Sequence, residues 1–275
     1  MKKIIALVMA LCMVFALCAC GKSAPEADST KLILGTSADY APYEFMYADD
    51  NGEMVFGGID VLAAQYLAEA MGKELQIENM SFDYLLTALS KGDYDIVMAA
   101  MEVTDERLQA ADFSDPYCSD LPAKILVKAE NADQYASLSD FDGKSVGAQT
   151  ATTKEGLVTE KMPGANLVSV VNVDDIVNQL VYDKLDACVL DGAVAVAKAE
   201  ANPDLVVLDA VVIEEAPAPY CVAVAKGDPK GLLPALNEAI AKMNEAGVIE
   251  DFRATATEMA DLGLAQEVSV DAPES

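Results

Sequence analysis

The sequence predicts an α/β protein made of two similar lobes that face one another across a cleft. Two observations carry this. From Lys31 onward, short β-like runs alternate with helical ones in the βαβαβ order of parallel sheets covered by helices. In addition, Leu85–Ala100 (LLTALSKGDYDIVMAA) and Ile176–Asp191 (IVNQLVYDKLDACVLD) align without a gap, with Leu89 on Leu180, Asp95 on Asp186, Val97 on Cys188 and Ala100 on Asp191. Each block reads as a helix, a tight polar turn and an apolar strand, so two comparable halves are expected rather than one large sheet. Chance agreement between two generic αβ units is the competing explanation.

In chain order, Lys31–Thr36 (KLILGT) reads as a strand, Ile59–Met71 as a helix ended by Gly72, and Leu75–Asn79 as a second strand. Phe82–Ser90 is helical, Tyr94–Ala100 (YDIVMAA) is a buried strand, and Lys124–Lys128 (KILVK) is another. The second half repeats the alternation: strand Lys144–Ala148, helix Thr153–Lys161, strand Leu167–Val171, helix Asp174–Asp183, strand Ala187–Leu190, helix Ala193–Ala201. Leu232–Ala246 and Val248–Ala256 are helices separated by Gly247.

Ligands of open parallel sheets sit beyond the carboxyl ends of the strands. Here those ends lead into Met101-Glu102-Val103-Thr104-Asp105-Glu106-Arg107 and into Asp191-Gly192. Thr104 is a fair N-cap that would put Arg107 in the first turn of a short helix, where a cation opposes the helix dipole. Its place there suggests a task outside the helix, holding an anion. With a carboxylate at Asp191 on the opposite wall, a zwitterion would neutralise both residues and bridge the lobes. The alternatives are a surface ion pair of Arg107 with Asp105 or Asp112, and a helix N-cap role for Asp191.

Composition narrows the chemistry. The 275 residues include 46 acids, 18 bases and no His, for a formal net charge of −28. A His-centred triad, a His-containing zinc site and an imidazole switch are therefore excluded. Nucleic acid is not expected as a partner, since phosphate would be repelled and basic clusters are missing. Bidentate carboxylate recognition has two possible homes, Arg107 and Arg253. Neither a cofactor nor a metal is expected.

Met1-Lys2-Lys3 followed by the apolar run Ile4–Leu17 has the character of a secretory leader too short to span a bilayer. Leu17-Cys18-Ala19-Cys20 resembles a lipobox, which would make Cys20 the lipidated first residue of the mature chain. A plain leader cut near Ala19 is the alternative. Gly21–Thr30 (GKSAPEADST) is a flexible tether. Cys118, Cys188 and Cys221 form no CxxC pair and are expected to be buried thiols.

Several motifs occur in a characteristic order: Gly35-Thr36-Ser37-Ala38-Asp39-Tyr40-Ala41-Pro42-Tyr43-Glu44-Phe45, Gly58-Ile59-Asp60-Val61, Met80-Ser81-Phe82-Asp83, Val103-Thr104-Asp105-Glu106-Arg107, and Asp112-Phe113-Ser114-Asp115-Pro116-Tyr117. From about Lys31 to Ala256 the sequence resembles the polar amino-acid-binding family of extracellular solute-binding proteins, the capture subunits of ABC importers. The resemblance implies the type II periplasmic-binding-protein fold, two Rossmann-like α/β lobes joined by a two-segment hinge. It implies a leader at 1–19, a tether at 20–30, lobe one at 31–117 and 224–265, a hinge at 118–123 and 218–223, lobe two at 124–217, and a tail at 266–275. Its function would be binding rather than catalysis: a monomer held at the outer face of the membrane through a lipid on Cys20. It would deliver an amino acid to transmembrane permease subunits driven by a cytoplasmic ATPase. A periplasmic dehydratase on the same fold, with Glu102 as general acid, and a sensory ligand-binding protein are the alternatives.

By the same resemblance, Arg107 clamps the ligand's α-carboxylate, assisted by Thr152 and Thr153, and Asp191 takes the α-ammonium. The main chain at Ala100 to Glu102, including Met101, accepts from the ammonium; Tyr40 and Phe82 sandwich the side chain, with Ser37 and Asp39 beside them. Three positions depart from the family's pattern. Ser37 stands where many members carry Asp, Glu102 where Ser or Thr is usual, and Ala151 where Gly precedes the Thr pair. With Arg107 and Asp191 balanced by the ligand's α-groups, Glu102 would leave the pocket negative and favour a cationic or strongly polar side chain, unless Lys154 neutralises it on closure.

Overall fold

A computed structural model describes residues 30–49, 51–216 and 218–270. The leader, Cys20, the tether up to residue 29 and the last five residues of the tail lie outside the described residues. Strand β1 (Lys31–Thr36) buries Leu32 and Leu34 completely. A small antiparallel meander follows, of β2 (Asp39–Tyr40), β3 (Glu44–Ala48) and β4 (Met54–Gly57). Gly58, at φ 115°, then turns the chain into helix α1 (Ile59–Ala70). A Cβ at this position would lie 2.1 Å from the Tyr43 carbonyl oxygen, which restricts the site to glycine. Strand β5 (Glu74–Asn79) pairs in parallel with β1 from Lys31 opposite Glu74 to Thr36 opposite Asn79. A 3-10 turn at Phe82–Tyr84 leads into α2 (Leu85–Lys91), where a single helix was expected. The expected strand Tyr94–Ala100 is paired only over β6 (Ile96–Val97). The helical turn α3 (Arg107–Ala110) then runs into β7 (Ala111–Cys118).

The second lobe is formed by β8 (Lys124–Lys128), β9 (Ser145–Gln149), α4 (Thr153–Lys161), β10 (Asn166–Val170), α5 (Val173–Val181), β11 (Ala187–Leu190), α6 (Gly192–Ala201) and β12 (Leu205–Val207). The chain then returns as β13 (Tyr220–Ala225), α7 (Leu233–Ala246) and α8 (Val248–Val270). The last helix extends well past Ala256 and through the boundary expected at residue 265.

The sheet orders are β5-β1-β6-β13-β7 and β10-β9-β11-β8-β12. They match position by position, and neither is wholly parallel as the alternation suggested. The fourth strand of each, β13 or β8, is antiparallel to both neighbours. Both are the first strand after the chain crosses between lobes, so they enter from the cleft side and run away from it. The first crossing is 119–123; on the return Val211 and Ile213 still pack in the core of the second lobe, so the second crossing is 214–219. The second precedes the expected 218–223, because Tyr220–Ala223 are already paired with β7.

Both sheets are covered on two faces. The first packs Leu67, Ile240 and Met243 on one side and Leu85, Leu89 and Tyr94 on the other. The second packs Ile176, Leu180 and Val194 on one side, and Phe141 and Val158 on the other. The aligned blocks occupy equivalent places. Asp95 accepts the Ile33 N–H at 2.7 Å, and Asp186 accepts the Ser145 N–H at 2.8 Å, each fastening the start of the adjacent parallel strand. Cys118, Cys188 and Cys221 are buried free thiols, and burial pushes the Cys188 thiol up to about 12.

Candidate functional site: the cleft between the lobes

The carboxyl ends of β1 and β6 face those of β9 and β11. One wall carries Ser37, Asp39, Tyr40, Glu44, Phe82, Ala99, Ala100, Glu102 and Arg107; the other carries Gln149, Thr152, Thr153 and Asp191. Of the residues expected in the site, Met101 is the exception. Its side chain is buried in the apolar core with Leu85, Leu89 and Val97, and its carbonyl accepts the Cys221 N–H at 3.0 Å.

Arg107 begins α3, whose N-cap position is Glu106 rather than the Thr104 read from the sequence; the Arg107 N–H still donates to Thr104 Oγ1 at 3.1 Å. Its guanidinium turns away from the helix into the cleft. Nη1 donates to the Glu102 carbonyl at 2.8 Å, and Nη2 donates to the Ala151 carbonyl of the opposite wall at 3.1 Å. Cζ lies 5.1 Å from the centre of the Phe82 ring, so that ring is a plate for Arg107 as well as a cavity wall. Burial lowers the Arg107 pKa, opposed by Glu102 and Asp191.

Asp191 sits at the N-cap position of α6, but its side chain makes no cap bond. The carboxylate points into the cleft instead: Oδ2 accepts from the Tyr40 hydroxyl at 2.6 Å, and Oδ1 pairs with Lys154 Nζ at 2.5 Å. The Tyr40 hydroxyl thus joins the two walls. Asp39 joins them as well, taking the Val173 N–H at the start of α5 at 2.7 Å and the Ser37 hydroxyl at 3.2 Å. Burial raises the Asp39 pKa, and the Val173 bond pulls it back.

Glu102 is fully engaged. Thr153 Oγ1 donates to its Oε2, and Lys154 Nζ lies 3.0 Å from its Oε1. The negative charge expected at this position is therefore met by an internal cation. Thr152 points its hydroxyl back to the Gln149 carbonyl at 2.7 Å. Ala151, standing where glycine is usual, holds the left-handed φ of 64°, and Ala100 holds 44°. Each costs a non-glycine residue about 1–2 kcal/mol. Both strained peptides are used: Ala151 presents its carbonyl to Arg107, and the Ala100 N–H donates to Asp60 Oδ2 at 2.8 Å.

Behind this floor lies a pair of carboxyls. Glu44 and Asp60 are fully buried side by side, with the Tyr117 hydroxyl next to Asp60. Burial, reinforced by the neighbouring Asp60, raises the Glu44 pKa well above the carboxylate range, and burial pushes Asp60 up to about 6. The pairing of Lys154 with Glu102 is the alternative the sequence offered for closure, whereas Glu44 and Gln149 are not legible there as contacts. Glu44 lies within the Tyr40–Phe45 motif, but no local pattern aims its side chain at the cleft. Among the described residues no group of three or more acids or cysteines is arranged to hold a metal ion, and no helix is long and apolar enough to cross a membrane.

Residues 32–255 match the family model of bacterial extracellular solute-binding proteins, family 3. The chain belongs to this family. That membership implies an extracytoplasmic location. Among its curated relatives, the arginine-binding extracellular protein ArtP of Bacillus subtilis is 34% identical over 258 residues, covering 92% of this chain and 97% of that protein. A probable histidine-binding protein of Neisseria gonorrhoeae is 32% identical, with 90% and 92% covered. Among solved structures, an amino-acid ABC transporter substrate-binding protein of Streptococcus pneumoniae bound to L-arginine aligns with a TM-score of 0.79 at 32% identity, covering 84% of this chain and 95% of that one. The two-lobed solute-binding fold expected from the motifs is thus the fold of this chain.

Proposed function

We propose that this solute-binding protein captures a cationic amino acid, with L-arginine the leading candidate, and hands it to the permease of an ABC importer. The carrying observation is the order of charges along the cleft. Arg107 stands where an α-carboxylate would be taken and Asp191 where an α-ammonium would be taken. Beyond them, the acids Asp39 and Glu44 line the same cavity, Glu44 from beneath its floor. Burial holds both acids above their ordinary pKa, and an incoming guanidinium would return them to the charged form. The arginine-binding relatives support the same class of ligand. In this reading the lobes rotate about the crossings 119–123 and 214–219, the protein acts as a monomer, and a lipid on Cys20 keeps it at the outer face of the membrane near the permease. Glu102, the acid a dehydratase would need, is committed to Lys154 and Thr153, which argues for binding rather than catalysis.

A thermal-shift and calorimetry series over L-arginine, L-lysine, L-histidine, L-glutamine and L-citrulline tests this. A ligand at 100 times its Kd adds about 2.7 kcal/mol of stability. L-arginine should raise the Tm most, and L-citrulline, its uncharged isostere, least among the long side chains. No shift with any of the five, or equal affinity for arginine and citrulline, would reject a cation-selective site.

A further inference from the structure

Lys154 lies in the first turn of α4, where a cation opposes the helix dipole, and is only 2% exposed. A buried ammonium is tolerated when it is closely paired. Its Nζ reaches Asp191 Oδ1 at 2.5 Å, Glu102 Oε1 at 3.0 Å and Glu215 Oε2 at 3.4 Å. These partners belong to three mechanically different parts of the chain. Asp191 is on the same lobe as Lys154 and keeps its distance whatever the lobes do. Glu102 is on the other lobe. Glu215 is in the return crossing, and its Oε1 accepts the Ala123 N–H of the first crossing, so it ties the two hinge segments together.

We propose that Lys154 is a positioning residue that couples lobe closure to the ligand site: it orients Asp191 toward the ligand's ammonium and closes on Glu102, with Glu215 bracing it at the hinge. When the lobes part, Lys154 retains Asp191 and loses Glu102, and the Thr153 bond to Glu102 breaks with it. Closure and the presentation of Asp191 are then one event. The identity of the ligand rests on the function proposed above; the latch does not.

The test uses amide hydrogen exchange at Val173, whose N–H is held across the cleft by Asp39, in the full chain without ligand. Lys154→Met should accelerate that exchange about tenfold, within the usual range of coupling between sites, and Lys154→Arg should restore most of the protection. Calorimetry with L-arginine should show at least about a tenfold weaker Kd for Lys154→Met and a smaller loss for Lys154→Arg. Wild-type exchange at Val173 together with an unchanged Kd in Lys154→Met overturns the proposal. Should that variant fail to fold, Glu102→Ala removes the side chain that Lys154 and Thr153 meet across the cleft; faster Val173 exchange supports the latch, and unchanged exchange overturns it. Failure of wild-type protein to bind L-arginine rejects the ligand reading, while the ligand-free exchange comparison still decides the role of Lys154.

Discussion

Arg107 shows how one side chain can join two walls, since its guanidinium meets the Glu102 carbonyl on one side and the Ala151 carbonyl on the other. A lysine ammonium is a point donor and cannot span both while also meeting a ligand carboxylate. Arg107→Lys should therefore weaken L-arginine binding by about 2 kcal/mol or more, close to the value of a lost charge-assisted bond, as read by calorimetry. A wild-type Kd in that variant would make the guanidinium a structural strut. Tyr40→Phe keeps the buried ring and loses the 2.6 Å bond to Asp191, so about 1 kcal/mol of affinity should go. The Glu44 and Asp60 pair gives a pH signature. A carboxyl whose pKa is raised on folding binds its proton more tightly in the folded state, so its contribution to stability falls as pH rises from the unfolded value near 4 to the folded value, about 6 for Asp60. A Glu44→Gln, Asp60→Asn double variant lacks this titration. Its Tm relative to wild type should climb across that window, and parallel curves would show that the pair is not titrating there.

The two lobes are built on the same fastening. Asp95 and Asp186 each follow a helix, precede a buried strand and accept the N–H at the start of the neighbouring strand. Removing either acceptor leaves a backbone donor unpaired at the base of a sheet. Asp95→Ala and Asp186→Ala should each destabilise the protein by about 1–3 kcal/mol in denaturant unfolding, and a large effect from one with none from the other would break the equivalence. Elements with a clear period were legible at this scale: β1, α4 and β11 fall at the residues read from the sequence. The meander β2 to β4 and β12 were not, because strands of two to five residues are too short to show a period, and neither was β7, whose aspartates and proline interrupt it. Tyr220–Ala225 is apolar enough to be a strand, but its sheet is chosen by pairing with residues more than a hundred positions away.

At the scale of the molecule, a strongly acidic body surrounds a cleft in which one cation, Lys154, is shared among Asp191, Glu102 and Glu215. The field of a chain with formal charge −28 favours the approach of a cation and is screened by salt, whereas buried contacts are screened little. The association rate of L-arginine, followed through the tyrosine fluorescence of a protein without tryptophan, should fall several-fold from low to physiological salt while its dissociation rate holds. A dissociation rate that rises with salt instead would mean that the ligand's ion pairs remain exposed to solvent.

The sequence by itself determined that there are two α/β halves, that Arg107 and Asp191 lie in the segments that follow strands of the two halves, and that the ordered motifs belong to solute-binding proteins. Those features are local, written in the period of apolar residues and in short motifs around strand ends. Only the tertiary structure decided the antiparallel fourth strand of each sheet, the bond from Asp39 to Val173, and the commitment of Glu102 and Asp191 to Lys154. These depend on which strand ends meet and which crossing segment lies behind them. The charge assigned to Glu102 changed meaning for that reason: its partner is 52 residues away in sequence and 3.0 Å away in space.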